Sequence, residues 1–147
     1  MTPMDLALKE ARAAAVRGEV PVGAAVLAPD GTVLAQAGNR TESDRDASAH
    51  AEMLALRAAA ERLGTPRLTG CDLVATLEPC PMCAAALVHF RIRRLVFGAY
   101  DPKGGGVEHG PRVFEAPDCL HRPEVVGGVR ERECGAVLRE FFKGLRG

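Results

Sequence analysis

Apolar residues recur at helical spacing through the first segment, at Met4, Ala7, Leu8, Ala11 and Ala15. Thr2-Pro3-Met4-Asp5 supplies a cap, a proline at the first helical position and a capping-box acid, and Gly18 offers a stop. The period then changes. Val20 to Ala28 is an apolar run opened by Pro21, Pro29-Asp30-Gly31 is a turn, and Thr32 to Ala37 returns, which predicts an antiparallel hairpin. The polar stretch from Gly38 to Ala49 is a loop delivering the chain to His50. A second helix starts just before His50, with Asp46 or Ser48 placed to cap it, and runs through Met53, Leu54, Leu56 and Ala60 to Gly64 and Pro66. Asp72 to Leu77 is a short buried strand, Pro81 opens a helix to about residue 90, and Arg94 to Gly98 is another strand. Strand, helix and strand with short links imply parallel pairing through a right-handed crossover. Residues 99–122, rich in Gly, Pro and His, form a long loop with one short helical turn. Glu124 to Gly127 adds a last strand. Arg130 to Lys143 is a helix with Cys134, Val137, Leu138 and Phe141 on one side.

Two short stretches in this pattern carry chemistry, His50-Ala51-Glu52 and Pro79-Cys80-Pro81-Met82-Cys83. A catalytic zinc takes three nitrogen or sulfur ligands and keeps a position open for water. Cys80 and Cys83, three apart at a helix start, lie on one face of its first turn, and the unpaired N–H groups there favour thiolate. His50 is the third candidate ligand. Glu52 cannot point the same way as His50, but it can reach a water beside the metal as a proton carrier. A Cys-x-x-Cys alone fits a redox pair or a structural zinc site, and a His-x-Glu alone means almost nothing. In order, they match the His-x-Glu…Pro-Cys-x-x-Cys signature of zinc nucleobase deaminases. A structural zinc would need a fourth nearby ligand, and Cys71, His89, His109, Cys119 and His121 offer no second paired spacing. A thioredoxin-like pair would leave His50 and Glu52 unexplained.

Composition narrows the class further. At 147 residues, 47% hydrophobic and 26% charged, residues 1–147 are expected to form one soluble globular domain. No stretch is apolar enough to span a membrane, and the N-terminus lacks a signal-peptide apolar region. Five cysteines, an odd number, argue against a disulfide framework and for a reducing cytoplasm, with Cys71, Cys119 and Cys134 as packing thiols. A net charge of zero leaves nucleic acid open, because local distribution matters more than the total. Arg91, Arg93 and Arg94 form one basic cluster, and Arg139, Lys143 and Arg146 stand against Glu140 alone at the C-terminal end. Singly each is solvated surface; together they suggest an RNA-facing edge.

Beyond the metal motif, Glu19-Val20-Pro21-Val22-Gly23-Ala24, Asn39-Arg40, Ala49-His50-Ala51-Glu52-Met53 and Thr76-Leu77-Glu78-Pro79-Cys80 resemble the bacterial tRNA adenosine deaminases. So do Arg94-Leu95-Val96-Phe97-Gly98-Ala99 and the ending Glu133-Cys134…Glu140-Phe141-Phe142, so the likeness covers nearly the whole chain. It implies an α/β fold, the three-layer α/β/α cytidine-deaminase-like arrangement with a five-stranded mixed sheet, one Zn2+ per subunit, and a homodimer. It also implies conversion of the wobble adenosine of a tRNA anticodon to inosine. By that resemblance His50, Cys80 and Cys83 are the zinc ligands and Glu52 the proton shuttle. Val22, Asn39 and the Ala51 backbone line the base pocket, and Asp101 contacts the RNA near the target nucleotide. Many relatives carry a Gly-Ala-Ala-Gly-Ser-Leu-like run where this chain has Gly104-Gly105-Gly106-Val107-Glu108-His109-Gly110-Pro111. That departure bears on substrate, not on chemistry. A deaminase of a free base or nucleoside, of guanine or cytosine type, would keep the same motif with a closed pocket and no basic approach. A zinc-stabilised binding module would need a fourth protein ligand.

Overall fold

The computed structural model describes residues 1–146, with side chains through residue 145. Helix α1 (Pro3–Val16) begins with the predicted capping box, in which Thr2 accepts from the Asp5 N–H at 3.2 Å and Asp5 accepts from the Thr2 N–H at 2.7 Å. Its buried seam is Met4, Ala7, Leu8, Ala11 and Ala14. Ala15, expected on that seam, stands only half-buried, and Ala14, whose Cβ lies against Gly38, is buried in its place.

Strands β1 (Gly23–Leu27) and β2 (Val33–Gly38) form the expected antiparallel hairpin. β1 starts three residues later than predicted. Pro21 brings no N–H, and the Val22 N–H turns back onto the Val20 carbonyl at 2.9 Å, so Val20 and Pro21 leave the ladder and Val22 keeps only its carbonyl bond, from the Asn39 N–H. Gly23 is required where it stands, since a Cβ there would overlap the Ala7 carbonyl of α1. Helix α2 (Ala51–Leu63), strand β3 (Asp72–Leu77), helix α3 (Pro81–His89) and strand β4 (Arg94–Ala99) follow, with β3 and β4 parallel as predicted. After a long loop carrying one 3-10 turn (Val113–Glu115), strand β5 (Glu124–Val126) runs parallel to β4, and helix α4 (Glu131–Arg146) closes the chain.

The sheet order is β2-β1-β3-β4-β5, antiparallel on the β2 side and parallel on the β5 side. Alternation along β3 and β4 splits the core in two. Leu73, Ala75, Leu95 and Phe97 join Ala55, Leu56 and Ala59 of α2 and Ala84 and Leu87 of α3. Val74 and Val96 face Met4, Ala7 and Leu8 of α1 and Cys134 of α4. This is the three-layer α/β/α arrangement. Parallel pairing sends the ends of β3 and β4, and hence the loops at residues 78–80 and 100–109, to one edge of the sheet.

Candidate metal centre and base pocket

Two helices begin at that edge, and each begins on a candidate ligand. His50 is the N-cap of α2 and Cys80 the N-cap of α3, and neither helix has a side-chain capping hydrogen bond. The expected cap is absent because Asp46 instead accepts from the Ser48 N–H and hydroxyl, at 2.9 and 2.7 Å, closing a turn in the loop before His50. The orphan N–H groups of both first turns are left beside the ligands.

His50 Nδ1 lies 3.5 Å from Cys80 Sγ and 3.5 Å from Cys83 Sγ. These three form the one His/Cys/Asp/Glu group among the described residues that could hold a metal ion. A tetrahedral zinc, with bonds of about 2.3 Å to sulfur and 2.0–2.1 Å to nitrogen, sets nitrogen and sulfur about 3.6 Å apart. The donors are already at zinc spacing. Their proton states agree: the Cys83 thiol donates to Cys80 and holds it near 4 despite its burial, with the His50 ring adding to the effect. Cys83 is pushed far up by that same bond and then by burial, and His50 is raised by its bond to Cys80. One sulfur is thus thiolate from the start. A dication held by His50, Cys80 and Cys83 would displace the proton of the other, so that two anionic sulfurs and a neutral imidazole would face it.

Glu52, two residues into α2, is 4% exposed yet lines the cavity. Burial, then the Cys80 charge, raises its carboxyl to about 7. A carboxyl poised there both accepts and donates protons near neutrality. The cavity is about 330 Å³, open on one side, with apolar walls from Val20, Val22, Ala51 and Leu77. Asn39, buried, and Asp101, half-buried, supply polar groups to the lining. Val22, Asn39 and Ala51, expected to line a base pocket, and Asp101, expected to contact the RNA, all line this cavity. Asn39 is steadied by Arg17, which donates to its carbonyl at 3.0 Å, and by its own N–H on the Val22 carbonyl at 3.0 Å.

Two residues that sequence reasoning left unassigned hold this pocket in shape. Glu19, 1% exposed, accepts from the N–H groups of Glu42 and Ser43 at 3.2 and 2.7 Å and from the Ser43 hydroxyl at 2.6 Å. Glu78, also 1% exposed, accepts from the N–H groups of Asp101, Val107, Glu108 and His109 at 3.0, 3.2, 2.9 and 3.1 Å. Burial pushes both carboxyls up, but these bonds outweigh it and hold both below the ordinary range. The visible signal was a charged residue next to an apolar run, in Glu19-Val20-Pro21-Val22 and in Leu77-Glu78-Pro79.

The basic clusters divide. Arg93 and Arg94 pair with Asp72 and Glu124, and Arg91 donates to the Val88 carbonyl. Arg94 and Asp72 are register partners at the start of β4 and β3. Five residues of strand, about 17 Å, separate them from the end where the cavity opens. The expected RNA-facing edge is not built from these arginines within this chain. Arg139 and Lys143 are exposed on α4, and the Arg146 side chain lies outside the described residues.

The family model for the cytidine and deoxycytidylate deaminase zinc-binding region matches residues 2–99. The chain is 55% identical over 143 residues to a tRNA-specific adenosine deaminase of Agrobacterium fabrum, covering 97% of this chain and 93% of that protein. A solved tRNA:A34 deaminase, studied for A-to-I editing at the wobble position, superposes with a TM-score of 0.91 at 54% identity, over 92% of this chain and 98% of that one. A guanine deaminase from Nitrosomonas europaea superposes with a TM-score of 0.77 at 30% identity, over 95% and 82%.

Proposed function

Because the chain belongs to the tRNA-specific adenosine deaminases, within the zinc-binding cytidine and deoxycytidylate deaminases, we propose that it hydrolyses the wobble adenosine of a tRNA anticodon to inosine and ammonia. In this reading His50, Cys80 and Cys83 hold the zinc, Glu52 carries protons, and Val22, Asn39, Ala51 and Asp101 receive the nucleotide. The observation that supports it most is a buried carboxylate beside a preset zinc donor set, at the floor of a cavity open to solvent.

Zinc, when bound, acidifies and orients the attacking water. Glu52 accepts one proton from that water and delivers it to the ring nitrogen next to the reacting carbon, which strips the ring of its resistance to addition. It then moves the second proton to the departing amino group. The oxygen ends on the ring, one proton on the ring nitrogen and the other on ammonia, and Glu52 returns to its starting state. Val22 and Ala51 bound the base with apolar surface that excludes bulk water. The Asn39 amide, its backbone fixed by Arg17 and Val22, offers a donor and an acceptor to a base edge. The open mouth suits a nucleotide splayed from a loop and still attached to its strand.

We further propose one functional domain over residues 1–147, at work in the cytoplasm as a homodimer, where it meets tRNA. Leu63 is exposed next to a groove lined by Ala60, Gly64, Pro66 and Phe90, and Met82 is exposed at the start of α3, which suits burial of this layer against a second copy. The deciding experiment measures inosine and ammonia from an anticodon stem-loop against a panel of free bases and nucleosides, using zinc-loaded protein. Turnover is expected on the stem-loop. Turnover of guanine or cytosine with none on the stem-loop would overturn the assignment in favour of a free-base deaminase.

A further inference from the structure

The loop that departs from the family pattern is built around one carboxylate. Glu78 receives four backbone N–H groups from residues 101–109, and the His109 ring donates to it from Nδ1 at 2.8 Å. Only His109 among these partners binds through its side chain, and its ring is about one-third exposed while the Glu78 side chain is fully buried. The three glycines fit the same design. A Cβ on Gly105 would run into the Glu78 carboxylate, and one on Gly106 would overlap the Pro81 backbone. The Gly106 N–H in turn reaches the Pro79 carbonyl at 2.8 Å. Asp101, whose N–H is on Glu78, accepts from the Gly104 N–H at 2.9 Å and faces the cavity.

We infer that Glu78 is a positioning residue that fixes the loop from Asp101 to His109 as one wall of the pocket mouth, with His109 as its side-chain lock. The proposal rests on the assignment of an RNA nucleotide to this pocket. The loop has almost no regular structure of its own, so its shape is set by where its N–H groups converge. A wall fixed in advance spares the bound nucleotide the cost of ordering it. Neither Glu78 nor His109 touches the reacting atoms in the proposed chemistry. Their contribution therefore falls on substrate capture more than on the proton transfers of Glu52.

The test uses zinc-loaded full-length protein and three variants, His109→Ala, His109→Asn and Glu78→Gln. KM and kcat are measured on an anticodon stem-loop, zinc by metal analysis, and amide hydrogen exchange over residues 101–109. Without the ring, His109→Ala is expected to raise KM roughly tenfold, the scale of one charge-assisted bond lost from a preorganised wall, while kcat stays within about twofold. Exchange over 101–109 should quicken with zinc content unchanged. His109→Asn, whose amide nitrogen can take the place of Nδ1, should restore most of both, and Glu78→Gln should exceed His109→Ala. Unchanged KM and exchange in His109→Ala overturn the proposal. So does a fall in kcat and zinc with KM unchanged, which would mean mere support of the cysteine helix. If Glu78→Gln does not fold, the two His109 variants decide. A wild type inactive on the stem-loop counts against the tRNA assignment, and the exchange data still decide the anchor.

Discussion

Replacing Glu52 by Gln separates what this residue does for rate from what it costs the fold. The substitution keeps the shape and removes the charge. In the metal-free protein the carboxyl sits near 7, against an ordinary 4.5, first because it is buried and then because the Cys80 thiolate lies nearby. Below about pH 4.5 both folded and unfolded chains carry the proton, and the group is neutral to stability. Between the two values the unfolded chain has released a proton that the folded chain keeps, so stability falls as pH rises. Above about 7 the loss is complete, about 3 kcal/mol for a group this buried. Glu52→Gln should recover that amount, raising the melting temperature of chelated protein at pH 8 by roughly 6–12 °C and leaving it nearly unchanged at pH 4.5. Turnover should move the other way, down by at least about 10²–10⁴, because both proton transfers pass through this carboxylate. Differential scanning fluorimetry with chelator and inosine formation with zinc read the two effects. A variant that kept more than roughly a tenth of the rate would put the proton carrier elsewhere. One that melted lower at pH 8 would refute the electrostatic account.

Cys83→Ala should lose zinc and activity together on metal analysis, since two donors hold the ion poorly; full activity in the metal-depleted variant would exclude a zinc mechanism. Glu19 and Glu78, both held low in the fold, contribute stability that is present above the ordinary carboxylate range and lost as pH falls through their depressed values. Urea titrations from pH 6 to pH 3 should therefore show acid destabilisation that Glu19→Gln partly flattens. Stem-loop binding should weaken steeply with salt, and Arg139→Ala with Lys143→Ala should lower the slope by up to about two, whereas Arg93→Ala should leave it unchanged. An equal effect from Arg93 would contradict its pairing with Asp72 at the far end of the sheet.

Much of this was legible in the sequence because the relevant signals are local. The capping box at Thr2, the hairpin turn at Asp30-Gly31 and the prolines flanking Cys80 each act within a few residues, so periodicity and turn chemistry locate α1, the hairpin and α3. The metal donors were legible because His-x-Glu followed by a proline-flanked Cys-x-x-Cys is a specific pattern, although neither half is specific alone. What stayed hidden depends on contacts distant along the chain. Glu78 bonds to residues 23 to 31 positions away, and Glu19 to residues up to 24 away, so neither announces its partners. The arginines misled for the same reason. Arg91, Arg93 and Arg94 are a cluster in sequence, but strand register sends two of them to Asp72 and Glu124 at the wrong edge. The start of β1 moved because Pro21, tolerated at a strand's first position, instead marks a bend that turns Val20 and Val22 into cavity wall.

The two uncapped helix starts, at His50 and Cys80, make the bound metal a cross-link as well as a reagent. An ion joining residues 30 positions apart closes a loop that holds all of α2 and β3. Treated like a disulfide of that span, such a closure removes about 3–4 kcal/mol of chain entropy from the unfolded state, provided the ion stays bound only in the folded one. Loss of zinc would then return that entropy to the unfolded chain and lower the melting point, while the donors and Glu52 keep the places they already hold without the ion. A variant that merely binds metal less tightly would lose part of its stability along with its rate. The activity of any ligand-site mutant is for this reason interpretable only beside its own melting curve, measured at matched zinc occupancy.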